Sequence, residues 1–204
     1  MRGTLRRVDL LAGLSSHRGA RRTGQTWRKV RRESLAPPRP NQFGAFGRSF
    51  ILPPARISNP QWIFIGDDVV IHEEVWLSVV HSHADVTPRL RIGDGCRVGR
   101  FCQISCVGHI EIGRDVTVSD HVQIGDTSHA YADPSRPVAD QGMTRPEPVT
   151  IGPGALIGVG AVVLPGITIG AGAYISEATV VTADVPPGAV VAGNPGVRTA
   201  TPHR

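Results

Sequence analysis

The chain has 204 residues, including 24 glycines and 17 prolines, and only 5% of its residues are aromatic. A core with so few aromatics must be built from aliphatic side chains, and so many glycines and prolines imply many tight turns. No stretch approaches the roughly 20 apolar residues that a membrane-spanning helix needs, and we recognise no export signal. We therefore expect no stable membrane insertion and a cytoplasmic location.

The net charge of +5 is distributed unevenly. Residues 1–40 contain eleven Lys or Arg and two acidic residues, so the rest of the chain is acidic. The basic stretch has no aromatic interleaving and no helical period, which predicts a flexible extension over 1–47 and no nucleic-acid partner. The cysteines are odd in number and close together, which favours reduced thiols over a disulfide framework.

An aliphatic residue recurs every six positions from residue 65 onward. A period of six fits neither a helix nor a hairpin array, but it fits a three-sided prism in which each side is one short parallel strand. The pattern predicts five coils, at 65–80, 92–107, 112–127, 151–168 and 169–186. The aliphatic positions are Ile65, Ile71, Leu77, Ile92, Val98, Ile104, Ile112, Val118, Ile124, Ile151, Ile157, Val163, Ile169, Ile175 and Val181.

Two segments interrupt the repeats, at 81–90 and at 128–148. The second is rich in Pro, Asp and Arg. Loops of more than about 15 residues in a compact domain are usually functional or disordered. We therefore expect the chemistry of the protein in the excursion loop 128–148.

The hexads, the segment 163–170 and the endings Pro186-Pro187-Gly188 and Gly193-Asn194-Pro195 resemble hexapeptide-repeat acyltransferases of the sugar O-acetyltransferase type. The resemblance implies an all-β fold, a left-handed parallel β-helix over 48–190 with a C-terminal tail at 191–204. It also implies a homotrimer that transfers an acyl group, with acetyl-CoA as cosubstrate and no metal, to a hydroxyl of a sugar or glycan precursor.

The same resemblance points to His129 as the general base. In such enzymes the excursion loop carries a histidine soon after a hexad, and His129 follows the hexad at Ile124 in this way. An imidazole can remove the proton of an attacking hydroxyl near neutral pH. Polar groups suited to sugar hydroxyls lie nearby, and Asp126 could instead orient the His129 ring. The expected acceptor-binding residues are Asp126, Tyr131, Asp133, Arg136 and Gln141.

The resemblance also places CoA on the outer face of the last coils, in the cleft between subunits. The pantetheine arm would meet Gly158, Val159, Gly160, Glu177 and Ala178, and the nucleotide end would meet Thr182, Ala183 and Arg198. The sequence departs from the common pattern where Leu156 replaces an aromatic residue, Ala183 replaces a lysine, and Arg198 is displaced by one position.

Two alternatives remain open at this point. A γ-type carbonic anhydrase has the same helix and would use three histidines around zinc, for which the His81 and His83 pair and His121 are candidates. A catalytically inactive trimeric scaffold is the second alternative, and the altered CoA positions motivate it.

Overall fold

A computed structural model describes residues 37–200, and the side chain of Ala200 is not included. The basic extension that we predict over 1–47 therefore lies outside the described residues up to residue 36. Its last part is ordered, because a short 3-10 helix at Pro40–Gln42 precedes the strand Ala45–Phe46. Strand pairing thus begins a few residues before the predicted boundary at 48.

Within residues 37–200, twenty short strands form three sheets, which we name A, B and C. Sheet A contains β1 (Ala45–Phe46), β4 (Ile63–Ile65), β7 (Arg89–Ile92), β10 (His109–Ile112), β13 (Val149–Ile151) and β16 (Thr168–Ile169). Sheet B contains β2 (Phe50–Ile51), β5 (Val70–Ile71), β8 (Arg97–Val98), β11 (Thr117–Val118), β14 (Leu156–Ile157), β17 (Tyr174–Ile175), β19 (Val190–Ala192) and β20 (Val197–Ala200). Sheet C contains β3 (Arg56–Ser58), β6 (Trp76–Val79), β9 (Gln103–Cys106), β12 (Gln123–Gly125), β15 (Val162–Val163) and β18 (Val180–Val181).

Consecutive strands visit sheets A, B and C in turn, so the chain winds as a three-sided parallel helix. Each strand pairs with the strand one coil away, and every pairing is parallel except that of β19 with β20. Two further short 3-10 helices in the described residues lie between coils, at Pro60–Trp62 before β4 and at Val138–Asp140 in the excursion loop. The expected prism is therefore confirmed.

The hexad aliphatics are stacked in register along the axis. In sheet B, Val118 pairs with Val98 on one side and with Ile157 on the other, and Ile157 pairs with Ile175. These side chains are fully or almost fully buried. The side chains at the fifth position of the hexads are buried too, and most of them are small; Cys96 is an example. The core is thus a set of aliphatic ladders, which explains why few aromatics are needed.

One coil precedes those that the hexads predict. Ile57 pairs with Leu77 in sheet C, and Ile51 pairs with Ile71 in sheet B. The six-residue spacing from Ile51 to Ile57 continues to Ile63, but the next ladder position is Ile65. The 3-10 turn at Pro60–Trp62 adds two residues there. A strict six-residue count along the sequence therefore does not detect the first coil.

Candidate functional site

The excursion loop leaves the helix after β12 and returns before β13, at the corner between sheets C and A. Its two ends run antiparallel. The Ala130 N–H donates to the Gly142 carbonyl at 3.0 Å, and the Thr144 N–H donates to the Ser128 carbonyl at 2.8 Å. His129 and Met143 form an antiparallel bridge between these bonds. His129 therefore lies on the outgoing arm of a two-stranded ribbon, with its side chain exposed.

Asp126 fixes the base of this ribbon. Its side chain is fully buried, and its two carboxylate oxygens accept the N–H groups of Val107 at 2.8 Å and Gly108 at 2.7 Å. Its backbone carbonyl accepts the N–H of Glu147 at 2.7 Å. A buried carboxylate bonded in this way is a structural group. The structure thus sets Asp126 apart from the acceptor-binding and ring-orienting roles expected from the sequence.

Two threonines join the arms beside His129. The Thr127 hydroxyl donates to the Thr144 carbonyl at 2.9 Å and lies 3.2 Å from the Thr144 hydroxyl. The Ser128 N–H donates to Thr144 Oγ1 at 3.1 Å. Both residues that precede His129 are therefore tied to Thr144 on the return arm.

The tip of the loop is held by its own polar groups. Gln141 Nε2 donates to the carbonyls of Asp133 at 2.8 Å and Arg136 at 2.9 Å, and the Arg136 side chain donates to the Asp140 carbonyl. The Ser135 hydroxyl and N–H donate to Asp133 Oδ1, and these bonds lower the pKa of the Asp133 carboxyl. Asp133, Arg136 and Gln141, which are expected to bind the acceptor, thus also hold the tip of the loop in its conformation.

Tyr131 differs from these residues because it is 76% exposed. It lies two positions after His129, and most of its side chain is open to solvent.

A groove with both polar and apolar lining residues runs along sheet C at the foot of the ribbon. Its volume is about 190 Å³. Gln103 and Ser105 of β9 and Gln123 of β12 occupy successive outward positions on its floor. Thr127 and Ser128 line the end from which the arm of His129 continues. Sequence reasoning missed the three floor residues, although polar residues at outward positions between buried aliphatics were a usable signal.

The predicted CoA residues fall in three places. Gly158–Gly160 follow β14 and Glu177–Ala178 follow β17, so they stack on the edge between sheets B and C. The Ala178 N–H donates to the Val159 carbonyl at 2.8 Å. A Cβ at Gly158 would lie 2.7 Å from the Glu177 nitrogen, so only glycine permits this approach. Thr182 and Ala183 instead follow β18 toward sheet A, and Arg198 lies on β20.

The same B/C edge carries an aromatic pair in the two coils before Gly158–Gly160. Phe101 and His121 have φ values of 57° and 61°, a conformation that bulky residues rarely adopt. Their rings are stacked, with centroids 4.9 Å apart, and Phe101 is 52% exposed. The edge continues toward the glycines, because the Gly160 N–H donates to the Asp120 carbonyl at 2.9 Å. Nothing in the hexad pattern predicts this pair.

The histidines considered for zinc lie in different environments. His81 packs edge-on against Trp62 at 5.4 Å, His83 Nε2 lies 3.3 Å from the Thr144 carbonyl, and His121 stacks on Phe101. Among the residues that the structure describes, no three His, Cys, Asp or Glu side chains are grouped as metal ligands. The chain alone therefore does not assemble these candidates into one centre.

The three cysteines are free thiols, and all of them are buried in the core. Burial raises the pKa of Cys96 and Cys102 to about 11 and that of Cys106 to about 12. Thiols of this kind are protonated and unreactive near neutral pH. Within residues 37–200, the structure contains no helix with the length and apolar character required to traverse a bilayer.

Residues 148–183 match the bacterial transferase hexapeptide family, described as six repeats. The last two predicted coils thus carry the repeats of this family, and the same six-residue period runs through the earlier coils. The resemblance drawn from its motifs and the left-handed form of its parallel helix are both confirmed.

Curated proteins are similar to this chain over part of their length. A probable acetyltransferase of Mycobacterium tuberculosis, Rv3034c, is 33% identical over 141 residues, covering 69% of this chain and 43% of that protein. Nodulation protein L of Rhizobium meliloti is 39% identical over 113 residues, covering 55% and 60%. The hexapeptide-repeat chain thus spans about half the length of the curated relatives it matches.

Solved structures of acyltransferases have a similar fold. A maltose O-acetyltransferase from Clostridium difficile is 26% identical with a TM-score of 0.51, covering 80% of this chain and 72% of that one. A hexapeptide-repeat acetyltransferase from Vibrio cholerae, VCA0836, complexed with acetyl coenzyme A, is 25% identical with a TM-score of 0.53, covering 79% and 72%. The N-acyltransferase AntD from Bacillus cereus is 18% identical with a TM-score of 0.67, covering 89% of each chain, and shows the fold alone.

Proposed function

We propose that this hexapeptide-repeat protein is a CoA-dependent O-acyltransferase that moves acetyl from acetyl-CoA to a hydroxyl of a sugar or glycan precursor. The observation that carries the proposal is the placement of His129. Its imidazole is exposed on a braced ribbon that rises from the groove in sheet C. The names of the relatives and the acetyl coenzyme A bound to the Vibrio cholerae structure support the same class of reaction.

The reaction needs a base because a neutral hydroxyl is a poor nucleophile. The acceptor oxygen attacks the thioester carbonyl while His129 removes the hydroxyl proton. Collapse of the tetrahedral intermediate breaks the C–S bond, and the imidazolium returns its proton to the leaving thiolate. The products are the acetyl ester and free CoA, and His129 is neutral again.

The two ends of the proposed site hold different substrates. Gln103, Ser105 and Gln123 offer amide and hydroxyl groups to the acceptor in the sheet C groove. The close-packed edge at Gly158 and Ala178 offers backbone groups to the pantetheine arm of CoA. In a homotrimer, the edge of one subunit would face the ribbon of its neighbour, so we propose that each site is shared.

His129→Ala tests the proposal directly. We expect kcat to fall at least about a hundredfold, because a positioned general base contributes about 10²–10⁴-fold. Tm should barely change, since the side chain is exposed and outside the core. Acetyl-CoA binding, measured by calorimetry, should persist. The assay measures thiol release from acetyl-CoA across a panel of sugars, with mass spectrometry of the product.

His109→Ala is the matched control, because the His109 imidazole lies on the outer face of β10 in sheet A, 3.7 Å from the Glu111 carboxylate. It should retain wild-type kcat. A His129→Ala enzyme with most of its activity would remove His129 from the mechanism. Including an amino sugar in the panel separates the O-acyl proposal from N-acyl transfer.

A further inference from the structure

The connection between β6 and β7, residues 80–88, contacts the return arm of the excursion loop at two points. His83 Nε2 donates to the Thr144 carbonyl at 3.3 Å. Arg145 donates to Asp85 Oδ2 at 2.7 Å, and this bond lowers the pKa of the Asp85 carboxyl. Both connections leave sheet C and enter sheet A, so they lie at the same corner of the helix.

The 80–88 segment is itself anchored on the coil beside it. The Asn59 side chain donates to the Val79 carbonyl at 2.7 Å, just before the segment begins. The His81 ring packs edge-on against Trp62. Pro88, at its end, is buried. The segment therefore offers the loop a support that belongs to the body of the helix.

Thr144 transmits this support to His129. Its carbonyl accepts from both His83 and Thr127, its hydroxyl accepts the Ser128 N–H, and its own N–H donates to the Ser128 carbonyl. Ser128 directly precedes His129. A shift of Thr144 would thus move the backbone of His129 with it.

We propose that residues 80–88 are a positioning element for His129, with His83 and Asp85 holding the return arm in place. Its catalytic meaning rests on the function proposed above. A general base must be held within about 0.5 Å of its productive position. Exposed polar contacts contribute little to global stability, but they can control the local opening of a loop. His83 and Asp85 are accordingly positioning residues and not catalytic ones.

Hydrogen exchange tests the positioning without relying on activity. In His83→Ala and in Asp85→Asn, the amides of Ala130 and Thr144 should exchange about tenfold faster, because their cross-arm bonds open more often. Strand amides such as that of Val118 should be unchanged. Glu111→Gln, which breaks the exposed Arg91–Glu111 pair at 3.7 Å on sheet A, is the control and should leave the loop amides unchanged.

Exchanging the charges tests the ion pair. Asp85→Arg and Arg145→Asp should each accelerate hydrogen exchange of the loop amides. The double variant, in which the two charges are swapped, should restore much of the protection. Loop amides that exchange at the wild-type rate in both His83→Ala and Asp85→Asn would overturn the proposal, whatever the activity of the protein.

Kinetics supply the second readout. His83→Ala should lower kcat about tenfold while KM for acetyl-CoA and Tm stay unchanged. In the His129→Ala background, His83→Ala should lower the residual rate no further, because its effect passes through His129. A further tenfold loss in that background would contradict positioning. If the wild type transfers no acetyl group, the proposed function fails, and hydrogen exchange still decides the positioning.

Discussion

Aspartates at the corners join one coil to the next through the backbone. Asp67, Asp94, Asp120 and Asp184 each accept the N–H of a residue in a neighbouring coil, at 2.7 or 2.8 Å. The hexads predict small or acidic residues at corners, but they cannot tell which aspartate bonds to which coil. Asp126 looks like another corner residue in the sequence, and only its burial and two N–H partners distinguish it.

Asp126→Ala should destabilise the protein strongly. It would leave the N–H groups of Val107 and Gly108 buried without an acceptor, at a cost of at least about 2 kcal/mol. Urea unfolding measures the change in free energy. Asp133→Ala, on the exposed tip of the same loop, is the control and should cost much less. Equal stabilities for the two variants would contradict the structural role of Asp126.

The buried thiols predict a loss of stability at alkaline pH. Their pKa values are raised from 9.0 to about 11 for Cys96 and Cys102 and about 12 for Cys106. In the unfolded chain the thiols ionise above about 9, while in the folded chain they stay protonated. The contribution of these thiols to the free energy of unfolding should therefore be constant below pH 9 and fall as the pH rises toward 11.

Urea unfolding at pH 8 and pH 10 checks this dependence. Cys96→Ala/Cys102→Ala should have a weaker decrease between the two pH values, because fewer thiols remain to ionise on unfolding. An identical decrease in that variant would show that other groups cause it.

At the scale of the strand, the hexad phase decides which side chains are inside. Leu156 and Ile157 are neighbours on β14, yet Ile157 is fully buried and Leu156 is half-buried on the outer face. Periodicity alone predicts this alternation, and the ladder from Val118 to Ile175 confirms it. For this reason most of the fold could be predicted from the sequence.

Ile157→Asp should prevent folding. A charge between Val118 and Ile175 has no partner, and its desolvation costs several kcal/mol, a large part of the stability of a typical domain. Ile169→Asp should behave likewise. Leu156→Asp is the matched control, because the same charge on the same strand can reach water. Circular dichroism and solubility measure the outcome, and a folded Ile157→Asp protein would contradict the ladder.

The excursion loop was harder to predict than the strands. Its position and His129 follow from the break in the hexads and the family resemblance. Its internal bonds do not, because contacts such as that of Gln141 with Asp133 and Arg136 leave no periodic trace. His83 and Thr144 are 61 positions apart in the sequence, and nothing local to either residue predicts their contact.

At the scale of the whole molecule, exposed apolar side chains border sheet C. Phe101 and Val159 lie on its edge with sheet B, at 52% and 46% exposure, and Leu164 lies on its edge with sheet A. Exposed apolar surface that is contiguous is typical of protein–protein interfaces. We propose this border of sheet C as the contact face of the homotrimer expected from the resemblance.

Light scattering should give three times the mass of one chain. Val159→Asp should weaken the assembly, because it places a charge on the apolar edge, while Tyr131→Asp on the loop should not dissociate it. If each active site is shared between subunits, diluting the protein should lower its specific activity at the concentrations where its particle mass falls toward that of one chain. A fully active monomer would contradict both the trimer and the shared site.

The last strand of sheet B reverses direction. β20 runs antiparallel to β19, so it occupies the backbone groups with which another parallel coil would pair. A parallel helix without such a strand presents an open edge that any similar edge can extend. Because its two ends differ, copies adding to that edge would join head to tail without closing, and the product would be a fibre. The reversal at β20 thus limits growth along the helix axis and favours discrete particles in solution.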